Sequence, residues 1–492
     1  MHFFYAAYGL DCFERYSSVK LKKMKTTGLL LALCLTLAGC QSDRQPPPTA
    51  VAMESRKTFP EAAKDMTIYE VNIRQHTPAG TFKAFQDDLP RLKKLGADML
   101  WIMPVQPIGV KNRKGSLGSY YSIKDYKSVN PEFGTIDDFK ALVKAAHDQG
   151  FAVILDWVPN HTSWDHTWIT EHPEFYMTDS AAVEVGKTLG VAKDYYKKKG
   201  IGNLVYESDW DDIALLNHYQ EGTRKAMIDA MKFWVTETDI DGFREDHAGH
   251  EIPMFFWNEA ITELNAVKDL FWLAEWDEPR MHIEFDATYD WRLLELTSSV
   301  ANGKATAEDL HDHIRRDVAV YGANAFRLNM INNHDENSWK GTVKERYGDG
   351  ARAFAVFSFT AYGTPVLYSG QEVGLNKRLK FFEKDTIPMN DPENYYTFYQ
   401  KLNELKATQS PLWSGAFGSM PEKTEDGNKY VFSFRRSDNH RQLFGFINMT
   451  SATQEIVVPP IPNTFKDAFT GRSLAPGKAT LGPWEYYILI AP

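Results

Sequence analysis

From about Met66 to about Gln409, short apolar runs alternate with amphipathic stretches, and this alternation limits the chain to repeated β-α units around a parallel sheet. Phe151-Ala152-Val153-Ile154-Leu155 is continuously apolar, as a strand covered on both faces must be. Before it, Thr135-Ile136-Asp137-Asp138 offers a capping box. Ile136, Phe139, Leu142, Val143 and Ala146 then recur at helical spacing until Gly150. A second helix, from about Thr223, carries Met227, Ile228, Met231, Trp234 and Val235 on one face and leads into Asp241-Gly242-Phe243-Arg244. Further strand candidates are Ile68–Ile73, Met99–Met103, Leu270–Ala274, Glu284–Ala287, Phe326–Ile331 and Val366–Tyr368. Eight strands alternating with helices predict a closed (β/α)8 TIM barrel, with chemistry at the C-terminal strand ends. An open doubly wound sheet is the competing fold, but no glycine-rich phosphate loop follows the first strand.

Polar clusters sit directly after four of the strands: Asp156-Trp157-Val158-Pro159-Asn160-His161, Arg244-Glu245-Asp246, Glu275-Trp276 and Asn333-His334-Asp335. Asp246 and Glu275 are one βα unit apart, and Glu275 and Asp335 two, so a barrel brings three acids to one rim. Crowded carboxylates push one pKa upward while a neighbouring arginine holds another ionised. Arg244, two residues before Asp246, points the same way on its strand. Glycoside hydrolysis needs this pairing of one ionised and one protonated carboxyl group.

These segments resemble the four signature regions of the α-amylase family, glycoside hydrolase family 13, in the family's order. DWVPNH (156–161) resembles the first, GFREDHAGH (242–250) the second, Glu275 with its neighbours the third and Asn333-His334-Asp335 the fourth. The resemblance covers roughly residues 66–410. It implies Asp246 as nucleophile, Glu275 as general acid and then base, and Asp335 as transition-state stabiliser, with the α anomer retained. It also implies that Arg244 keeps Asp246 ionised, that His161 and His334 bond sugar hydroxyls, and that Tyr121 stacks beneath the cleaved glucosyl ring. Asp156 reads as structural beside Arg244. The implied activity is α-1,4-glucan hydrolysis of starch or maltooligosaccharides. Cyclomaltodextrinase, neopullulanase, α-glucosidase and glucanotransferase are alternatives using the same residues, and a non-catalytic glycan-binding lipoprotein is an alternative of another class.

The chain departs from the family at a calcium site. Asn160 and His250 are present, but Leu215 in Ile213-Ala214-Leu215-Leu216-Asn217 takes the place of the acid, which weakens or moves a site that wants carboxylates among six to eight oxygens. Gly249 stands where many endo-acting members have lysine, and His247 beside the nucleophile is unusual.

The flanks read separately. Lys20, Lys22, Lys23 and Lys25 precede the apolar run Gly28–Gly39, far short of the ~20 residues that span a bilayer, so residues 1–39 read as a signal peptide. Met24 reads as its start and residues 1–23 as a misassigned start. Leu37-Ala38-Gly39-Cys40 resembles the bacterial lipoprotein box, which makes Cys40 the lipidation site of an exported, membrane-anchored protein, periplasmic or at the cell surface. Residues 40–63 then form a tether, 64–161 and 218–408 the barrel, 162–217 an inserted domain and 409–492 a C-terminal antiparallel β-sandwich. The net charge of −10 and the lack of a basic run argue against nucleic acid as a partner. Cys12, Cys34 and Cys40 all precede the body, so its stability rests on burial rather than disulfides.

Overall fold

The structure, a computed structural model, describes residues 59–192, 194–198, 202–425 and 427–491. The segment read as a signal peptide, Cys40 and the expected tether as far as residue 58 lie outside them.

Eight parallel strands close into a barrel: β1 (Ile68–Val71), β2 (Met99–Ile102), β3 (Ala152–Trp157), β4 (Gly242–Glu245), β5 (Phe271–Ala274), β6 (Ala287–Tyr289), β7 (Phe326–Asn329) and β8 (Thr364–Tyr368). Each neighbours the next in sequence, and β1 closes the ring against β8 through Ile68 opposite Val366. Ile68, Met99, Trp101, Ile154, Phe271, Leu273, Phe326, Leu328 and Val366 share one buried apolar cluster. The helix Ile136–Asp148 starts on the Thr135 capping box as the sequence requires and buries Phe139, Leu142, Val143 and Ala146.

Two sequence expectations are corrected. The sixth strand begins at Ala287 rather than Glu284. Pro279–Ile283 forms a 3-10 helix, and the Asp286 carboxylate accepts the Trp272 backbone N–H at 2.9 Å, so 284–286 serves as the lead-in. The stretch 59–63, assigned to the tether, instead forms a helix, Phe59–Ala63, whose Ala63 and Phe59 pack on the barrel cluster.

Between β3 and β4 the chain runs through short antiparallel pairs, 161–163 with 213–215 and 196–198 with 205–207, and a helix Asp179–Leu189. Their apolar centre is Met177, Ala182, Val205, Ile213 and Leu215. After the helix Tyr395–Thr408, five antiparallel strands and a separate two-stranded pair, 454–458 with 477–481, form the C-terminal region. Val431, Phe446, Ile456, Val458, Leu481 and Leu489 pack between these sheets.

Candidate active site

The register of the barrel builds the site. Asp156 on β3 lies abreast of Arg244 on β4, and Glu245 abreast of Ala274, which delivers Glu275 one residue beyond β5. Asp246 follows β4 directly, with its backbone N–H on the Trp157 carbonyl at 2.8 Å. The Glu275 N–H bonds the Glu245 carbonyl at 3.0 Å. Neighbouring strands thus place the two carboxylates side by side.

Arg244 is fully buried and joins them. Its Nη1 donates to Asp156 Oδ1 at 2.8 Å and to Asp246 Oδ1 at 3.1 Å, and its Nη2 lies 3.0 Å from Glu275 Oε2. Its remaining N–H groups reach the Tyr289 hydroxyl at 3.2 and 3.3 Å. Burial opposes the charge on Arg244, but Asp156 and Glu275 outweigh it and hold the guanidinium well above its ordinary pKa. Burial lifts Asp156 to about 6 against the pull of Arg244 and His334. Burial and then the Glu275 charge also raise Asp246 well above the usual carboxylate range, with Arg244 pulling the other way. Arg244 thus bonds Asp246 and favours its ionised form, as the resemblance implies, while also serving Asp156 and Glu275.

Asp335 stands beyond β7 at the start of a π-helical turn, Glu336–Lys340, and keeps 31% of its side chain exposed. Its neighbour His334 is buried, with Nδ1 on the Glu70 carboxylate, Nε2 2.9 Å from the Tyr121 hydroxyl, and Nε2 3.7 Å from Asp335 Oδ2. Burial would discharge this imidazole, but Asp335 and Glu70 together hold its pKa up to about 9. The Tyr121 hydroxyl also lies 3.1 Å from Asp156 Oδ2, and the ring stacks on His334 at 5.5 Å and on Phe381 at 6.3 Å.

His161 lies on the other side of Tyr121, on its backbone. Its Nε2 lies 3.0 Å from the Tyr121 carbonyl, the geometry of an N–H donated to it, and its Nδ1 is buried without a partner among the described residues. Burial, reinforced by His247, lowers its pKa to about 3, so it is neutral. One nitrogen therefore braces the tyrosine, and the other is the one left for the sugar hydroxyl that the resemblance implies.

Three contributors were not singled out from sequence: Glu70 beneath His334, Trp101, whose indole N–H donates to Asp156 Oδ2 at 3.0 Å, and Tyr289. A glutamate inside the apolar run Ile68–Ile73 is the signal that could have found the first.

Calcium does not fit the residues present. Asn160 is fully buried, and its side-chain oxygen and nitrogen have no partner among the described residues, which leaves one orphan oxygen. Leu215 packs into the apolar centre of the insert, and the nearby Asp212 is 3.1 Å from Lys114. One amide oxygen beside a leucine lacks the carboxylates that a calcium ion needs.

A sequence model described as the α-amylase catalytic domain matches residues 56–418. The chain belongs to the α-amylase family. This family member is a glycoside hydrolase, and its relatives span several activities. Alpha-amylase 2 of Dictyoglomus thermophilum is 24% identical over 444 residues, 86% of this chain and 72% of that one. A cyclomaltodextrinase of a Bacillus species is 26% identical over 400 residues, 76% of this chain and 66% of its own. The crystal structure of an α-amylase from Lactobacillus plantarum superposes with a TM-score of 0.75 at 27% identity, covering 87% of this chain and 99% of that one.

Proposed function

We propose that this α-amylase family member is a retaining hydrolase of α-1,4-glucosidic bonds in starch or maltooligosaccharides. The observation that carries the reading is the grip of one guanidinium on Asp246 and Glu275 from adjacent strands. Carboxylates on neighbouring nitrogens of a single fork suit the close spacing of retaining chemistry, about 5 Å, rather than the wider gap that admits a water between them.

Arg244 occupies Oδ1 of Asp246, so attack on the anomeric carbon falls to Oδ2. As the C–O bond breaks, Glu275 gives its proton to the departing glycosidic oxygen, leaving a β-glucosyl ester on Asp246. Water then adds at the same carbon, Glu275 takes its proton, Asp246 leaves, and the α anomer is restored. The chemistry requires the charge on Asp246 and the proton on Glu275 when substrate binds. Asp335 faces the positive charge that develops on the ring, while Tyr121 and His334 hold the glucosyl unit and His161 steadies Tyr121.

Proton NMR of maltoheptaose with the purified protein tests this in one time course. Early α-anomeric maltose and maltotriose support the reading. Glucose released singly means an exo-acting glucosidase, products longer than the substrate mean a transferase, and no turnover means a glycan-binding protein. The relatives' mixed activities keep the first alternatives open, whereas the presence of all three acids opposes the last.

Residues 20–40 support a lipid-anchored, exported protein held through Cys40. Cys40→Ala should move an active protein from the membrane to the soluble fraction, and unchanged fractionation would refute the anchor.

A further inference from the structure

The loop that follows Asp246 carries a second cluster that the glycosidase chemistry does not use. Glu207 from the insert and His247, His250 and Glu251 from the loop each place a donor atom so that all lie within 4.8 Å of one another. Glu207, His247 and Glu251 are buried. Glu207 Oε1, Glu251 Oε2 and both ring nitrogens of His247 have no hydrogen-bond partner among the described residues. Buried polar atoms left facing each other are costly unless something joins them.

The spacing indicates what does. His247 Nε2 lies 3.6 Å from Glu207 Oε1 and 3.5 Å from Glu251 Oε2, too far for hydrogen bonds. Ligands about 2.0–2.2 Å from a tetrahedral zinc ion stand about 3.3–3.6 Å from one another. The other carboxylate oxygens are held from outside, as metal-bound carboxylates are: the Tyr195 hydroxyl donates to Glu207 Oε2 at 3.1 Å and the Tyr196 hydroxyl to Glu251 Oε1 at 2.7 Å. His250 Nδ1 is 3.1 Å from Glu251 Oε1.

The backbone is shaped to gather these groups. His247 and His250 have φ of 49° and 61°, a left-handed conformation that non-glycine residues rarely adopt. Trp276 covers both imidazoles, with ring centres 5.3 and 5.7 Å away, and its indole fills the space where a Cβ on Gly249 would sit, 2.1 Å from it. A comparable group elsewhere, Asp290, His313 and Asp317, already surrounds a cation, because Arg327 lies 3.0 Å from Asp317 and 3.6 Å from Asp290.

We propose that Glu207, His247, His250 and Glu251 bind one late first-row divalent cation, zinc being the chemical fit, and so fasten the insert to the loop after β4. Imidazole nitrogen with carboxylate oxygen selects zinc and its neighbours over calcium or magnesium, which prefer oxygen alone. The site also touches the chemistry indirectly. The His247 backbone N–H donates to Glu275 Oε2 at 2.8 Å, so His247 is a positioning residue for the proton donor.

The test is a cobalt and zinc titration of the untagged, chelator-stripped protein, read without any activity assay. Expected are one equivalent of Co2+ with the strong visible bands of tetrahedral coordination, displacement of those bands by Zn2+, and a rise in Tm with Zn2+ but not Mg2+. Glu207→Gln and His247→Asn should each weaken Zn2+ affinity at least about tenfold. Failure of the wild-type protein to bind one equivalent, or to gain Tm, overturns the proposal. Wild-type binding that both folded variants retain at full affinity also overturns it. A glycosidase result of either sign leaves this titration unaffected.

Discussion

At the scale of single residues, the site concentrates charge around two cations, Arg244 and His334, and the consequences of removing a partner differ. Asp246→Ala deletes the proposed nucleophile, and kcat/KM should fall by orders of magnitude in a maltooligosaccharide assay while the far-UV spectrum stays unchanged. His334 is a titration test. Its folded pKa of about 9 lies above the ~6.5 of an unfolded histidine, so its contribution to stability is full below ~6.5 and is lost as pH rises through about 9. Histidine-selective NMR, with His334→Asn for assignment, should show a ring titrating near 9 that moves down in Glu70→Gln. Trp339, 55% exposed on the turn after Asp335 and 5.4 Å from the Phe381 ring, should act on binding alone. Trp339→Ala should raise KM for long maltooligosaccharides several-fold and leave kcat within about twofold. What sequence showed at this scale was the set of groups ending each strand, because acids after apolar runs stand out. It did not show Trp101 and Tyr289, because a tyrosine or tryptophan within a strand looks the same whether it fills the core or holds a catalytic neighbour, and Glu70 was passed over although a lone acid in an apolar run marks it. Nor did it show that His161 would turn its nitrogen to a backbone carbonyl, a choice made by a residue 40 positions away in the chain.

At the scale of elements, the helix Ile136–Asp148 and the central strands were legible because apolar period and caps agree there. The sixth strand was misplaced because Phe285 and Asp286 mimic a strand start, whereas Asp286 bonds across to the preceding strand at Trp272, a contact that no local pattern encodes. The loop after β4 gives the sharpest test of an element. Gly249 has room for no side chain under Trp276, so Gly249→Lys should not create a substrate contact here. It should instead displace the indole and lower stability by about 1–3 kcal/mol, read as a drop in denaturation midpoint. A variant as stable as the wild type would show that Trp276 moves aside freely.

At the scale of the whole molecule, barrel and C-terminal sheets share buried ground. Arg436, fully buried on a C-terminal strand, donates to the Thr360 and Ala361 carbonyls at 2.9 and 2.6 Å, and Phe432 stacks on His311 at 4.1 Å and meets Phe357 at 4.8 Å. Phe432→Ala should therefore cost about 3–5 kcal/mol, and thermal unfolding should still show one transition rather than two. The short helix Phe59–Ala63 bears on a different matter. Phe59 meets Phe271, the first residue of β5, at 5.7 Å, so this helix caps the barrel at the strand starts, while Asp246, Glu275 and Asp335 lie past the strand ends. Phe59 thus sits at the stern of the barrel, and a sugar chain can meet the mouth without brushing past this helix.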